Sequence, residues 1–338
     1  MKGLVVSGGG AKGAYGGGLI EYLTKIKGNQ YDKFIGSSTG VLLCSLAACD
    51  EIELLKYAYT NIENEDIWKI NPFYFNKSKN RVNYFNIFRN MLPKITVVDV
   101  EKFPYFKLKY IKGNKSLGDG SNLMDTILSY FTEDLFNKVK YELKKEIIVC
   151  VVNLSLGKVE YKSSNNYDYM EFCEWMFASA SAYPFMNFVT KNGFEYIDGG
   201  TLEPIPIQEI INRGCNDVDV IVLHEKNPQF EPIKTKNIFN GMINTINIIH
   251  NEIRKSDIVI GKLKAINKKV NINLYYTPTE LTDNSLIFNR KKMGLWWNMG
   301  LNYGQENKPQ NIKLWLWVIN HYYNFFSQIL YILWFFML

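Results

Sequence analysis

The chain has 338 residues, 47% of them hydrophobic, which is enough for the core of one large α/β domain or two small ones and too apolar for intrinsic disorder. Its net charge of +6 is mild, and the basic residues lie beside aromatic ones without arginine-rich runs; this argues against specific nucleic-acid readout and suits an anionic membrane surface, although a solvated basic face is the plainer reading of any single cluster. Cys44, Cys49, Cys150, Cys173 and Cys215 are odd in number and hold no Cys-Xaa-Xaa-Cys pair, so a disulfide-stapled scaffold is excluded, and with only His224, His250 and His321 besides, no metal and no cofactor are expected.

The first strand is expected at Gly3 to Val6, with no secretory signal ahead of it, so the expected location is intracellular, cytoplasmic or membrane-associated. A glycine-rich turn, Gly8 to Gly13 (GGGAKG), follows, then a helix over about Ala14 to Ile26 and a second strand, Tyr31 to Ile35. Gly36 to Gly40 (GSSTG) forms a Gly-Xaa-Ser-Xaa-Gly elbow that opens a helix over about Val41 to Tyr59. This β-turn-α-β-turn-α order begins a parallel sheet, with each loop where a strand delivers its carboxyl end to a helix.

Residues 68–112 interleave aromatics such as Phe73, Tyr84, Phe88 and Tyr105 with Lys77, Arg81, Arg89 and Lys102. They are either a lid that touches lipid or an insertion packed on the core with a charged exterior. Helical spacing returns at Leu123 to Phe136; continuous apolar runs over Glu146 to Val152 and Val218 to Leu223 predict strands covered on both faces. Between these lie strands at Lys158 to Tyr161 and Phe194 to Ile197, and a helical pattern over Glu171 to Ala182 that Pro184 stops. A long amphipathic helix is expected over Ile238 to Leu263. We expect one catalytic domain over 1–305, a polar linker over 306–313, and an aromatic, uncharged tail over 314–338. The tail is long enough to cross a bilayer, but Asn320, His321 and Asn324 interrupt it, and a packed terminal helix is the alternative.

A serine hydroxyl is a weak nucleophile that needs a base in reach and donors aimed at the developing oxyanion. Ser38 is the candidate nucleophile, flanked by Gly36 and Ser37 on one side and by Thr39 and Gly40 on the other, at the positive end of a helix. Backbone N–H groups of Gly8, Gly9, Gly10, Ala11, Lys12 and Gly13 are the candidate oxyanion donors; the Lys12 side chain is expected in solvent. Asp198, at a strand end before Gly199 and Gly200 (DGG), is the candidate base.

These three motifs, in this order, resemble those of the patatin-like phospholipase family, and Ala178 to Pro184 (ASASAYP) is similar to the stretch that precedes the family's aspartate. The resemblance covers roughly residues 1–223. It implies a three-layer α/β/α sandwich with a mainly parallel central sheet. It also implies a Ser-Asp dyad without histidine that hydrolyses carboxylic esters of phospholipids or other acyl lipids at a membrane surface.

Three rivals stay open. Gly8-Xaa-Gly10-Xaa-Xaa-Gly13 also fits a dinucleotide fingerprint, although the second strand lacks the acidic residue that would hold the ribose. Ser38, Asp198 and His224 fall in the order of an α/β-hydrolase triad, but one strand before the elbow is too few for that fold. A catalytically inactive membrane-binding scaffold would keep all three motifs.

Overall fold

The computed structural model describes residues 1–73, 75–76, 81–82, 115–226 and 238–312. Nine strands form one sheet: β1 Lys2–Val6, β2 Lys33–Ser37, β3 Glu146–Asn153, β4 Lys158–Ser163, β5 Val189–Lys191, β6 Phe194–Asp198, β7 Asp217–Glu225, β8 Asn271–Thr277 and β9 Gln310–Ile312. The sheet runs β9-β8-β7-β1-β2-β3, with β8, β7, β1, β2 and β3 all parallel to their neighbours in that run and β9 antiparallel at one edge. A short ladder, Phe75–Asn76 with Arg81–Val82, lies apart from it.

Because strand side chains alternate between faces, the sheet sorts its apolar residues into two cores. Leu4, Val6, Phe34, Val149 and Leu223 face one core, closed by helices α1 Gly13–Glu21, α2 Thr39–Ala48, α3 Ile52–Asn61, α5 Asn122–Tyr130, α7 Tyr169–Ser179 and α10 Arg290–Glu306. Val5, Ile35, Ile148, Val220 and Leu274 face the other, closed by α8 Ile207–Asn212 and α9 Ile238–Lys268. Short helices α4 Asn64–Ile67 and α6 Glu133–Asn137 complete the set. The architecture is the expected α/β sandwich around a mostly parallel sheet.

Two expected helices are each divided. Asp50, at a left-handed φ of 63°, separates α2 from α3. Thr132 caps α6 by accepting from Leu135 N–H, which separates it from α5. Of the expected lid or insertion, Trp68 and Phe73 are buried in the core, and most of 74–112 lies outside the described residues, as does the tail over 314–338. Among the described residues no helix is long and apolar enough to cross a membrane.

The register around β3 positions the site. Residues 146–150 of β3 pair in parallel with β2, and residues 151–153 pair antiparallel with β6, while β4 pairs along 148–153. A strand has two edges and β4 occupies one throughout, so β2 and β6 share the other. They run toward each other along it and end at adjacent rungs, Ser37 opposite Cys150 and Asp198 opposite Val151.

Candidate active site

This head-to-head meeting brings Ser38 and Asp198 together, though they are 160 residues apart in the chain. Ser38 turns out of β2 with φ 56° and ψ −131°, a strained conformation for a residue with a side chain, and becomes the N-cap of α2. The turn is that tight because α2 starts almost on top of β1. A Cβ on Gly40 would lie 2.1 Å from the Val6 carbonyl oxygen, so no larger residue fits there. Ser179, the last residue of α7, locks the elbow to the sheet: its hydroxyl accepts from Ser38 N–H at 3.0 Å and donates to the Cys150 carbonyl at 2.6 Å.

The Asp198 carboxyl is 8% exposed, and burial pushes its pKa up to about 6. The nearby Ser38 hydroxyl and the hydrogen bond from Gly200 N–H, the latter at 2.7 Å, pull in the opposite direction. Gly199 packs under this turn, where a Cβ would lie 2.2 Å from the Cys150 carbonyl oxygen. A carboxyl in that range is largely ionised at neutral pH yet basic enough to take a proton, which suits a general base.

The glycine turn lies beside the elbow: a Cβ on Gly8 would lie 3.4 Å from Ser38 Cβ. Most of its N–H groups are engaged: Gly8 donates to Pro204 O, Ala11 to Ser285 O, Lys12 to Gly9 O and Gly13 to Gly10 O. Gly9 and Gly10 N–H meet no acceptor among the described residues. Gly10 has a positive φ of 53°, with the Ser285 carbonyl oxygen 2.2 Å from where its Cβ would be, so the turn needs glycine there. The six expected donors therefore narrow to two.

Lys12 differs from its expectation of a solvated side chain. It is 4% exposed, with Nζ 3.0 Å from His224 Nδ1 and 2.9 Å from Glu280 Oε1. Burial lowers its pKa, and burial beside Lys12 and Arg254 holds the His224 ring well below its usual range. His224 is thus committed to Lys12. The triad reading drew on its chain order alone.

Ser38 and Gly10 help line a pocket of about 740 Å³, its solvent-open part included, that runs between α2, α5 and α7 over Leu42, Leu46, Ile127, Phe131, Met176 and Met186. Its walls are mostly apolar. Sequence reasoning missed Ser179, the loop carrying Ser285, and Pro204. The ASASAYP stretch was the available signal for Ser179; nothing in the sequence pointed to the other two.

All five cysteines are buried free thiols. The family model described as patatin-like phospholipase matches residues 4–211. Among solved structures, the crystal structure of VipD from Legionella pneumophila is similar at 16% identity and a TM-score of 0.43, over 92% of this chain and 68% of that one. No curated protein matches the chain.

Proposed function

This chain belongs to the patatin-like phospholipase family, and from that premise we propose that it is a serine esterase of the phospholipase A type, cleaving carboxylic esters of membrane lipids through a Ser38–Asp198 dyad. The observation that carries the proposal is the convergence of a strained serine, a buried carboxyl held at about 6 and two free glycine amides beside an apolar pocket that Ser38 and Gly10 line.

In this mechanism the Ser38 Oγ attacks the ester carbonyl carbon as its proton passes to Asp198. The carbonyl electron pair moves onto oxygen, where Gly9 and Gly10 N–H and the N-terminal end of α2 stabilise it. Collapse of the tetrahedral species breaks the bond to the alcohol, which leaves as a lysolipid or other alcohol with the proton from Asp198. Water then attacks the acyl-enzyme carbonyl, giving its proton to Asp198; collapse breaks the bond to Ser38 Oγ, which takes that proton back from Asp198, and the fatty acid departs. The acyl chain lies along Leu42 and Ile127, where each methylene removed from water contributes about 0.8 kcal/mol.

We place the enzyme at a membrane surface, where such a substrate resides, with residues 314–338 as the candidate attachment. Comparing vesicle flotation of the full chain with that of a chain ending at Lys313 tests this part on its own. The catalytic part is tested by a fluorophosphonate probe and by release of fatty acid from phospholipid vesicles. Wild type is expected to be labelled on Ser38, with Ser38→Ala and Asp198→Asn folded but down roughly a thousandfold or more in turnover. A folded wild-type protein that neither reacts with the probe nor releases fatty acid would overturn the esterase reading.

A further inference from the structure

The three motifs do not touch the sheet alone; they also meet on one short piece of backbone. Glu203, Pro204 and Ile205 follow the DGG turn, and each makes a different attachment. The Ser37 hydroxyl, from the elbow, donates to Glu203 O at 2.7 Å. Gly8 N–H, from the glycine turn, donates to Pro204 O at 3.2 Å. Ile205 N–H donates to Asp257 Oδ2 at 3.0 Å, and Asp257 belongs to α9 on the far face of the sheet. Glu203 is fixed in turn by a hydrogen bond from Tyr161 of β4 to its carboxylate.

We propose that Asp257 is a positioning residue, whose carboxylate anchors the tripeptide 203–205 and thereby sets the glycine turn and the serine elbow at their working separation. The inference rests on the function proposed above, since it assigns Asp257 a part in that reaction without contact to the substrate. Three features support it. Asp257 is 9% exposed and lies on the one long helix of its layer, so its position is set by packing and not by solvent. A buried carboxyl is costly unless it serves a hydrogen bond, and here it accepts one from the Ile205 amide. Its neighbour Glu203, also buried at 8%, adds a second carboxyl where an apolar pair would pack at lower cost. The pocket and the dyad stand on the opposite side of the sheet from α9, so Asp257 acts through the tripeptide.

The experiment uses the full chain with Asp257→Ala, which removes the acceptor, and Asp257→Asn, which keeps an acceptor oxygen in the same place. Fluorophosphonate labelling rate, kcat and KM are measured beside native-state hydrogen exchange of the peptides covering residues 4–13 and 202–210. Asp257→Ala is expected to lower kcat and the labelling rate by roughly ten- to a hundredfold, because displacements of about 1 Å carry that penalty, with KM within about twofold. Exchange should quicken in both peptides, and Asp257→Asn should restore rates and protection.

An Ala variant that labels at the wild-type rate, or exchange unchanged in the glycine-turn peptide, overturns the proposal. If the Ala variant does not fold, the Asn variant decides: near-wild-type kcat supports the acceptor role, and a drop as deep as that of a catalytic variant overturns it. Should wild type itself fail to react, the proposed function falls while the exchange data still decide whether Asp257 holds the glycine turn.

Discussion

Burial holds the Asp198 carboxyl at about 6, some two units above a free aspartate, and this has opposite effects on stability and on activity. Between about pH 4 and pH 6 the unfolded chain gives up this proton while the folded chain keeps it, so the folded state binds more protons and stability falls as pH rises through that window. Above it the cost is fully present, on the order of 3 kcal/mol. Asp198→Asn should therefore stabilise the protein by up to about that much at pH 8 and hardly at all at pH 4, as measured by urea unfolding at the two values. In the wild type, kcat/KM should climb with pH through a midpoint near 6, because only the ionised carboxyl accepts the serine proton. Ser38 stores a second cost in its φ of 56°. Glycine adopts that conformation without strain, so Ser38→Gly should be more stable than Ser38→Ala by about 1 kcal/mol in thermal melting, with both inactive.

At the scale of elements, α1 and α10 pack through glycine. A Cβ on Gly300 would lie 2.1 Å from the Tyr15 carbonyl oxygen, and one on Gly17 would lie 2.1 Å from the Trp297 ring. Backbone cannot yield as a flexible side chain does, so Gly300→Ala should cost about 3 kcal/mol and slow probe labelling too, since α1 begins where the glycine turn ends. This also shows what the sequence concealed. Gly16, Gly17 and Gly18 are poor helix formers, and only remote neighbours explain them: Leu43 and Leu223 crowd Gly16, Trp297 crowds Gly17, and Trp297 with Leu301 crowds Gly18. The strands β1, β2, β3 and β7 were legible as apolar runs, and the elbow as a spacing of glycines around Ser38. The α10 helix and the β8 strand lie beyond the sequence-based expectations, which give no element between Leu263 and the linker at 306. Nor did any local pattern announce that β2 and β6 share an edge of β3, because register is a property of paired strands.

The whole molecule contributes the pocket, whose walls come from α2, α5, α7 and the segment around Leu286 and Phe288. Specificity for the acyl chain should therefore follow wall volume and leave the dyad unaffected. Replacing Ile127 by Trp is expected to favour short-chain esters over long-chain ones by about tenfold or more in kcat/KM, with the labelling rate by a small fluorophosphonate within about twofold. A uniform loss on all chain lengths would mean that the chain lies elsewhere.

The shared edge of β3 has a kinetic corollary. Residues near 37 and near 198 pair with β3 on separate rungs, and on the proposed mechanism neither pairing alone creates a reactive hydroxyl. During refolding from urea, sensitivity to an organophosphorus reagent should lag behind the recovery of far-ultraviolet ellipticity, so that capture of serine would serve as a clock for the last docking event of the sheet.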